Sequence, residues 1–434
     1  MSRASDNETL SRVGPGSAMG GFMRKFWIPA ALSSELQADG DPLRLMLLGE
    51  KLIAFRDSTG RVGIMDHRCP HRCASLFFGR NEEDGIRCVY HGWKFDVDGN
   101  CLDMANVPAA QDFKHKVKAR AYKTHERNGM IWVYMGDQSD IPALPEIEAT
   151  LLCEEDVLIR AAQRDCNWLQ GLEGDIDTSH LSFLHLGAAQ AGNVAADNDQ
   201  QHVVAARAPE YIVAETEYGT KYASFRPTEG GGGDTYWRLA HYVFPFWALP
   251  PNRPIDINII GRAWVPLDDT HTMFYEFIHK DTRKRMRMDK DGNRLRGDGV
   301  DSAFRDNDTG WLGRWRLAAN AGNDYRIDRD IQRSESFTGI SNIHLQDQAV
   351  TESMGAITDR TLEHLSPSDE MIAKTRRRIL GAVRAFQKDG RLPVVRDQSG
   401  VLQGVRSGSY VSPADVDWMD AYDDHMRAVA KAAE

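Results

Sequence analysis

Between residues 43 and 135 the apolar positions come in short bursts separated by tight polar turns. Leu43–Leu48 and Lys51–Phe55 flank Gly49-Glu50, and Asp57-Ser58-Thr59-Gly60 leads into Arg61–Met65. Gly92–Val97 turns at Asp98-Gly99, and Met130–Met135 closes the series. This spacing predicts a small antiparallel β domain. A short helix is predicted over Met19–Lys25, before the apolar run Phe26–Ala30. Beyond a polar, proline-containing linker at Asp137–Glu148 the texture changes. Asn167–Leu186 reads as helix-rich, and longer strands follow at Tyr211–Phe225, Tyr236–Ala248, Ile255–Pro266 and Thr272–Lys280. Asp281–Asp308 is charged with almost no apolar spacing, which predicts a solvated insertion or lid; Gly230–Gly233 reads as a flexible turn. Two helices are predicted at the end of the chain. One starts at Ser366-Pro367 and stops near Gly390, with Ile372, Ile379, Val383 and Phe386 on one side. The other starts at Ser412-Pro413 and carries Trp418, Tyr422, Met426 and Val429 on one stripe; both openings place serine at the N-cap and proline at the first helical position.

Composition narrows the function classes. A chain of 434 residues has room for roughly two or three domains. Lys plus Arg number 53 against 63 Asp plus Glu, a net charge of −10 that argues against a nucleic-acid partner. No apolar run approaches the ~20 residues of a spanning helix, and Met1–Glu8 lacks the apolar stretch of a secretory signal, so no membrane role and a cytoplasmic location are expected. Six cysteines in this length do not make a disulfide scaffold, but three of them fall at 69, 73 and 88.

That cluster carries the first candidate chemistry. Cys69-Pro70-His71-Arg72-Cys73 is followed, with sixteen residues between His71 and Cys88, by Cys88-Val89-Tyr90-His91. Each predicted turn supplies one cysteine and one histidine. Zinc accepts two thiolates and two imidazoles, but its fingers usually pair Cys with Cys and His with His. One Cys and one His per loop suits a Rieske [2Fe–2S] centre, with cysteines on one iron and histidines on the other. The competing reading is two core cysteines with incidental surface histidines.

A second constellation lies in the helical stretch. Glu173, Asp177 and His180 fall on one stripe of an ideal helix, while His185 would be rotated by about 140° from His180. Both imidazoles reach one metal only where the helix ends or takes a π-type bulge between them. Two histidines and a carboxylate make the facial triad of non-haem Fe(II) oxygenases, with positions left open for O2 and substrate. A capped amphipathic helix with two unrelated histidines would give the same pattern.

The run from Cys69-Pro70-His71-Arg72 through Tyr90-His91-Gly92-Trp93-Lys94-Phe95, with Asp177-x2-His180-x4-His185 downstream, resembles the Rieske non-haem iron ring-hydroxylating oxygenases, alpha subunit, phthalate-dioxygenase-like group. Cys73 departs from the pattern, which usually has a small residue there, often glycine; it is expected to be a buried small hydrophobe. The resemblance implies an α+β fold, with a small antiparallel β Rieske domain (26–136) inserted near the N-terminus of a larger helix-grip-type catalytic domain (1–25 and 150–434). It implies that Cys69, His71, Cys88 and His91 bind the cluster and that His180 and His185 bind the mononuclear iron. Asp177 would bridge to a cluster histidine of the neighbouring subunit, with Glu173 near that bridge or on the helix surface. The third iron ligand is sought among Asp324, Asp328, Asp330, Glu335, Asp347 and Glu352. Asp347 is selected because His344–Gly355 resembles the family's ligand segment, as do Asn323-Asp324-Tyr325 and Ile327-Asp328-Arg329; Asp324 and Asp328 are expected to tie loops or caps. Asp289–Asn293 resembles the start of a calcium loop, but its twelfth position is Val300, not glutamate, and it is rejected.

The activity implied is that of the terminal oxygenase of a multicomponent system. A separate flavin/iron–sulfur reductase fed by NAD(P)H would supply electrons. O2 would be used for dihydroxylation, monohydroxylation or oxidative O-demethylation of a small aromatic compound. Electrons would pass from His91 through Asp177 to His180 across a head-to-tail homotrimer. Aromatic carboxylates are common substrates in this group, which makes Arg207, Arg238 and Arg262 candidate anchors and Phe244, Phe246 and Trp247 candidate pocket or core residues. The alternative is a Rieske electron carrier or ligand-binding protein without mononuclear iron.

Overall fold

A computed structural model describes residues 3–189, 194–195, 198, 200–228, 233–284, 290–291 and 302–433. The turn expected at 230–233 and the rejected calcium loop at 289–300 lie largely outside the described residues, as does much of the 281–308 insertion. Among the described residues no helix is long and apolar enough to cross a membrane.

Eighteen strands are present among the described residues: β1 (Trp27–Leu32), β2 (Leu43–Leu47), β3 (Glu50–Arg56), β4 (Val62–Asp66), β5 (Arg80–Glu82), β6 (Gly85–Arg87), β7 (Trp93–Phe95), β8 (Cys101–Met104), β9 (Ala121–Arg127), β10 (Met130–Tyr134), β11 (Val157–Arg164), β12 (Glu210–Glu215), β13 (Gly219–Pro227), β14 (Asp234–Val243), β15 (Trp247–Leu249), β16 (Ile260–Pro266), β17 (Thr272–His279) and β18 (Gly408–Pro413). They form three antiparallel sheets. Strands β1-β10-β9-β4-β3-β2 make the first and β5-β6-β7-β8 the second, matching the hairpins predicted for residues 43–135. The third runs β11-β17-β16-β15-β14-β13-β12, with β18 added on β14. Four longer helices matter for the site and its support: α1 (Trp168–Ile176), α2 (Ile343–Ser353), α3 (Glu370–Asp389) and α4 (Trp418–Ala433).

The first and third sheets share one apolar core. Trp132 of β10 stacks on Trp247 of β15 at 5.8 Å and on Phe277 of β17 at 6.1 Å. Phe244, Phe246 and Trp247 are buried in this core and do not line the cavity described below. Burying each such large side chain contributes about 1.5–3 kcal/mol, which fixes the smaller sheet firmly on the larger.

Four predicted elements change, one of them the run Tyr236–Ala248, which is divided between β14 and β15. The run Tyr211–Phe225 is two strands, β12 and β13, because Thr216 and Gly219 close a turn between them by mutual backbone hydrogen bonds. Ser412-Pro413 ends β18 and does not cap a helix: Ser412 Oγ accepts from Trp237 Nε1 at 2.9 Å, and α4 begins at Trp418. Helix α3 does follow the Ser366 capping box, after one 3-10 turn, and ends at Gly390 with φ 75°. Finally, α1 is capped by the Asn167 side chain and stops at Ile176, well short of Leu186.

Candidate metal centres

The two Cys–His loops are built alike. In the first, after β4, Cys69 N–H donates to Ala74 O (2.8 Å) and Cys73 N–H to Cys69 O (2.9 Å). In the second, between β6 and β7, Cys88 N–H donates to Trp93 O (2.8 Å) and Gly92 N–H to Cys88 O (2.9 Å). Cys69 and Cys88 are buried against Ile53, Phe55, Ile86 and Phe95, whereas His71 and His91 lie at the surface end, half-buried, their rings 4.4 Å apart. His71 stacks on Trp93 at 4.4 Å and 10°. Burial, with the adjacent Cys88 thiol, pushes the Cys69 thiol up to about 12. Burial, with His91 and Arg72 nearby, holds the His71 imidazole below its ordinary value. His71 Nδ1 is buried with no hydrogen-bond partner. Two facing thiols and a desolvated imidazole lone pair are costly without a positive charge between them, so this donor set fits an iron–sulfur cluster. Cys73 is exposed rather than buried, at φ 58°, because it occupies the left-handed position that Gly92 (φ 79°) fills in the second loop. The sequence expectation for its burial is corrected accordingly.

The second set forms where α1 ends. After the cap at Asp177 the chain makes a 3-10 turn, His180–Ser182. Leu186 N–H then donates to Leu181 O at 3.1 Å, the five-residue span of a π-type turn. This break lets both imidazoles face one point. From 161 residues further on, α2 brings Gln346 to His185 and Asp347 to both histidines. Asp347 Oδ1 is 3.1 Å from His185 Nε2 and 3.7 Å from His180 Nε2, and the three donors lie within 4.8 Å of one another. It is the one such group among the described residues. The tautomers are set from behind. His185 Nδ1–H donates to Gln346 Oε1 at 2.7 Å, while Gln346 Nε2 is held by Ile340 O at 2.8 Å. His180 Nδ1 faces Asp177 Oδ2 at 3.5 Å. Both Nε2 lone pairs therefore point toward Asp347, the arrangement a divalent metal requires, and the set fits a mononuclear iron with open positions.

The other candidate carboxylates are placed elsewhere. Asp328 caps the helical turn at 329–334, Asp330 pairs with Arg333, and Glu352 accepts from Asp165 N, Tyr325 Oη and Gln348 Nε2. Asp324 sits in a 3-10 turn, where its backbone carbonyl accepts from Ile327 N. Glu173 does not line the metal cavity. It is held by Arg376 (2.5 Å) and Arg360 (3.1 Å) between α1 and α3, which corrects its placement near the bridge.

The cavity beside the triad is lined by Asp175, Asp177, Thr178, His180, Leu181, His185, Tyr222, Arg238, Arg262, Glu276 and His344, among others. With no metal between the donors, burial opposes charge on His180 but Asp177 and Asp347 outweigh it and raise the imidazole to about 9, so a divalent metal would take the place of a proton at Nε2. Asp347 is likewise buried, yet His185 and His180 hold its carboxyl well below the ordinary range. Burial drops His344 to about 4 and keeps it neutral. Of the three predicted anchors, two reach this cavity. Arg262 is already neutralised by Asp175 and by Glu276, the latter at 2.8 Å. Arg238 donates to Thr178 Oγ1 (2.9 Å) and Pro251 O (2.8 Å). Arg207 does not line it; its guanidinium ties down the carbonyls of Ser182, Leu186 and Ala189. Asp175, Gln346 and His344 were not singled out from the sequence. Gln346 carries no local signal, since its partner His185 is remote along the chain.

Comparison with known proteins places the chain in a family. Residues 26–118 match the family described as Rieske [2Fe-2S] domain, and residues 133–433 match LigXa C-terminal domain like. The chain is 48% identical to the 3-chlorobenzoate-3,4-dioxygenase oxygenase subunit of Comamonas testosteroni, across 99% of this chain and 100% of that one. It is 38% identical to the phthalate 4,5-dioxygenase oxygenase subunit of Pseudomonas putida, across 96% and 93%. Dicamba monooxygenase shares the fold, with a TM-score of 0.55 at 18% identity over 85% of this chain and 99% of that structure. The chain belongs to the Rieske non-haem iron aromatic ring-hydroxylating oxygenases: it is the oxygenase subunit of a multicomponent system, an enzyme that uses O2 with a [2Fe–2S] cluster and a mononuclear iron.

Proposed function

We propose that this oxygenase hydroxylates a small aromatic carboxylate. Cys69, His71, Cys88 and His91 hold the cluster; His180, His185 and Asp347 hold the iron. The two functional units are residues 26–136 and residues 1–25 with 150–434. Support for the substrate class comes from the relatives named for 3-chlorobenzoate and phthalate, and from the arginine-rich cavity wall beside the triad. Bound at these donors, the cluster supplies single electrons and the iron activates O2. The chain's own residues do the rest. Gln346 fixes the His185 tautomer, Leu181, Ile278 and Ile343 offer apolar wall for a ring, and the Asp175–Arg262–Glu276 network keeps its charges paired beside them.

Asp177 is 22% exposed and faces His180 Nδ1, a position from which it can hold a proton and meet His91 of a neighbouring copy. In this reading the working assembly is a head-to-tail homotrimer that accepts electrons from a separate NAD(P)H-dependent reductase in the cytoplasm. The observation that carries the reading is the His180–His185–Asp347 triad opening onto a cavity in a chain that also holds the paired Cys–His loops. Metal and sulfide analysis of fully loaded protein should give about three irons and two sulfides per chain. With a surrogate reductase, 3-chlorobenzoate or phthalate should yield a hydroxylated product. Two irons per chain with no product would instead identify an electron carrier.

A further inference from the structure

A second cavity lies at the edge of the large sheet. Strand β11 is that edge, and Leu158, Arg160, Ala162 and Arg164 alternate along one of its faces. The register sets Phe274 of β17 opposite Ala162, so a large ring and a small side chain meet there. The segment 303–318 covers the strand's free side. It is paired across itself at Phe304 and Leu317, and Trp315 O accepts from Gln163 N–H at 2.8 Å. Glu35, just after β1, fastens that cover by accepting from Arg314 at 2.6 Å and Trp315 Nε1 at 3.2 Å.

Between strand and cover, next to the small side chains of Ala161 and Ala162, a cavity of about 470 Å3 remains. Leu158, Phe274, Phe304, Trp315 and Leu317 give it an apolar wall. Ligand pockets typically run to about 300–1,000 Å3, and a cavity of about 150 Å3 already accepts benzene. The iron-side cavity is smaller, about 120 Å3. The two share Arg160 and His344, which stand between them, and none of His180, His185 and Asp347 lines the second.

Arg164 brings charge to this second cavity. It is 2% exposed and lies over the Phe274 ring at 5.5 Å, and its Nη1 is buried with no hydrogen-bond partner. Burial lowers the guanidinium below its ordinary value, and Glu352, Asp347 and Asp175 oppose that only through space. Those carboxylates are committed elsewhere. Glu352 accepts from Asp165 N, Gln348 Nε2 and Tyr325 Oη, Asp347 faces the two histidines, and Asp175 is bound by Arg262 and Trp264. A buried, charged N–H left open at a cavity wall calls for an anion. The three carboxylates make the surroundings negative, which favours a monoanion over a phosphate dianion. Phe304, 44% exposed, marks the mouth, so the anionic end lies inside and the apolar body toward solvent.

We propose that this cavity is a second ligand site, separate from the iron centre, for an amphiphilic monocarboxylate whose apolar body exceeds one benzene ring and whose carboxylate sits on Arg164. The test is a calorimetric titration of the full-length holoprotein with 6-bromo-2-naphthoate and with its neutral amide. Crystals of the acid complex then locate the bromine by anomalous scattering. Wild type should bind the acid at least about tenfold more tightly than the amide, with the bromine between Ala162 and Phe304. Arg164→Met should remove that preference by weakening the acid alone, and Arg164→Lys should restore part of it. Ala162→Phe fills the cavity and leaves Arg164 in place, so it should weaken acid and amide alike by at least about tenfold. An unchanged preference in Arg164→Met overturns the proposal, as does unchanged binding in Ala162→Phe. Bromine found only beside His180 and His185 assigns the ligand to the iron centre and overturns it too, as do equal binding of acid and amide or no binding by wild type. Every arm reads binding and none depends on turnover, so failure here leaves the substrate class proposed above standing.

Discussion

Residues 69–74 and 88–93 each close on themselves through two backbone hydrogen bonds, so every cluster donor is positioned by its own six-residue loop. The iron triad has no such local frame. His180 and His185 sit on an irregular turn after α1, and Asp347 and Gln346 arrive on α2, 161 residues later for the Gln346–His185 pair. A loop site tolerates change elsewhere in the fold, while a site assembled across elements depends on the packing that brings those elements together. The difference also decides what the sequence alone reveals.

The largest effects should separate the two sites cleanly. Asp347→Ala should remove the mononuclear iron, lower turnover by at least about 1,000-fold and leave the visible absorbance of the cluster intact. Cys88→Ser should do the reverse, abolishing that absorbance while about one iron per chain remains. Loss of both metals in either variant would mean that the sites are not independent. Next comes Asp177→Asn, which should keep both metals and still cost at least about 100-fold in turnover, or about 2.7 kcal/mol. Unimpaired turnover would refute its bridging role, and light scattering would show whether the trimer persists.

Glu173 tests whether a buried acid near the triad in sequence belongs to it in chemistry. Burial works against its charge, but Arg360 and Arg376 outweigh it and hold the carboxyl below its ordinary value. Its stabilisation is therefore present above the unfolded carboxyl's value and is lost as pH falls through the lower native one. Glu173→Gln should cost about 3 kcal/mol of stability at neutral pH, flatten that acid-side loss and leave kcat per iron unchanged. A fall in kcat at full iron loading would return it to the electron path. Gln346→Leu should be milder, weakening iron binding by about 10–100-fold, measured by chelator competition, with the cluster unaffected. Equal iron affinity would show that His185 needs no help in presenting Nε2.

The contrast explains what could be read in advance. Cys69, His71, Cys88 and His91 were legible because spacing and turn residues encode a loop directly. The break between His180 and His185 was legible as a necessity, from helical geometry, although the helix ends earlier, at Ile176. Asp347 was singled out only through resemblance, since nothing within α2 distinguishes it from Glu352. Gln346 and Asp175 gain their meaning from partners remote in sequence or on another strand. Arg207 carried the right charge but spends it on carbonyls of a neighbouring turn. Along β13, Tyr222, Ser224 and Arg226 alternate with Ala223 and Phe225, a strand polar on a face that turns out to be buried.

The smallest effect bears on the loop site itself. Cys73 and Gly92 occupy the same place in twin loops, and both take positive φ, 58° and 79°. Left-handed backbone costs a residue with a Cβ about 1–2 kcal/mol, while glycine loses about 0.5–1 kcal/mol more chain entropy on folding. The balance favours Cys73→Gly by a few tenths to about 1 kcal/mol. No packing is lost in exchange, because the side chain is exposed and lies outside the apolar cluster that holds Cys69 and Cys88. The variant should therefore melt slightly higher, with the cluster's absorbance and reduction potential unchanged. A shifted potential would mean that the third cysteine interacts with the cluster, and the loop would then encode more than its two donors.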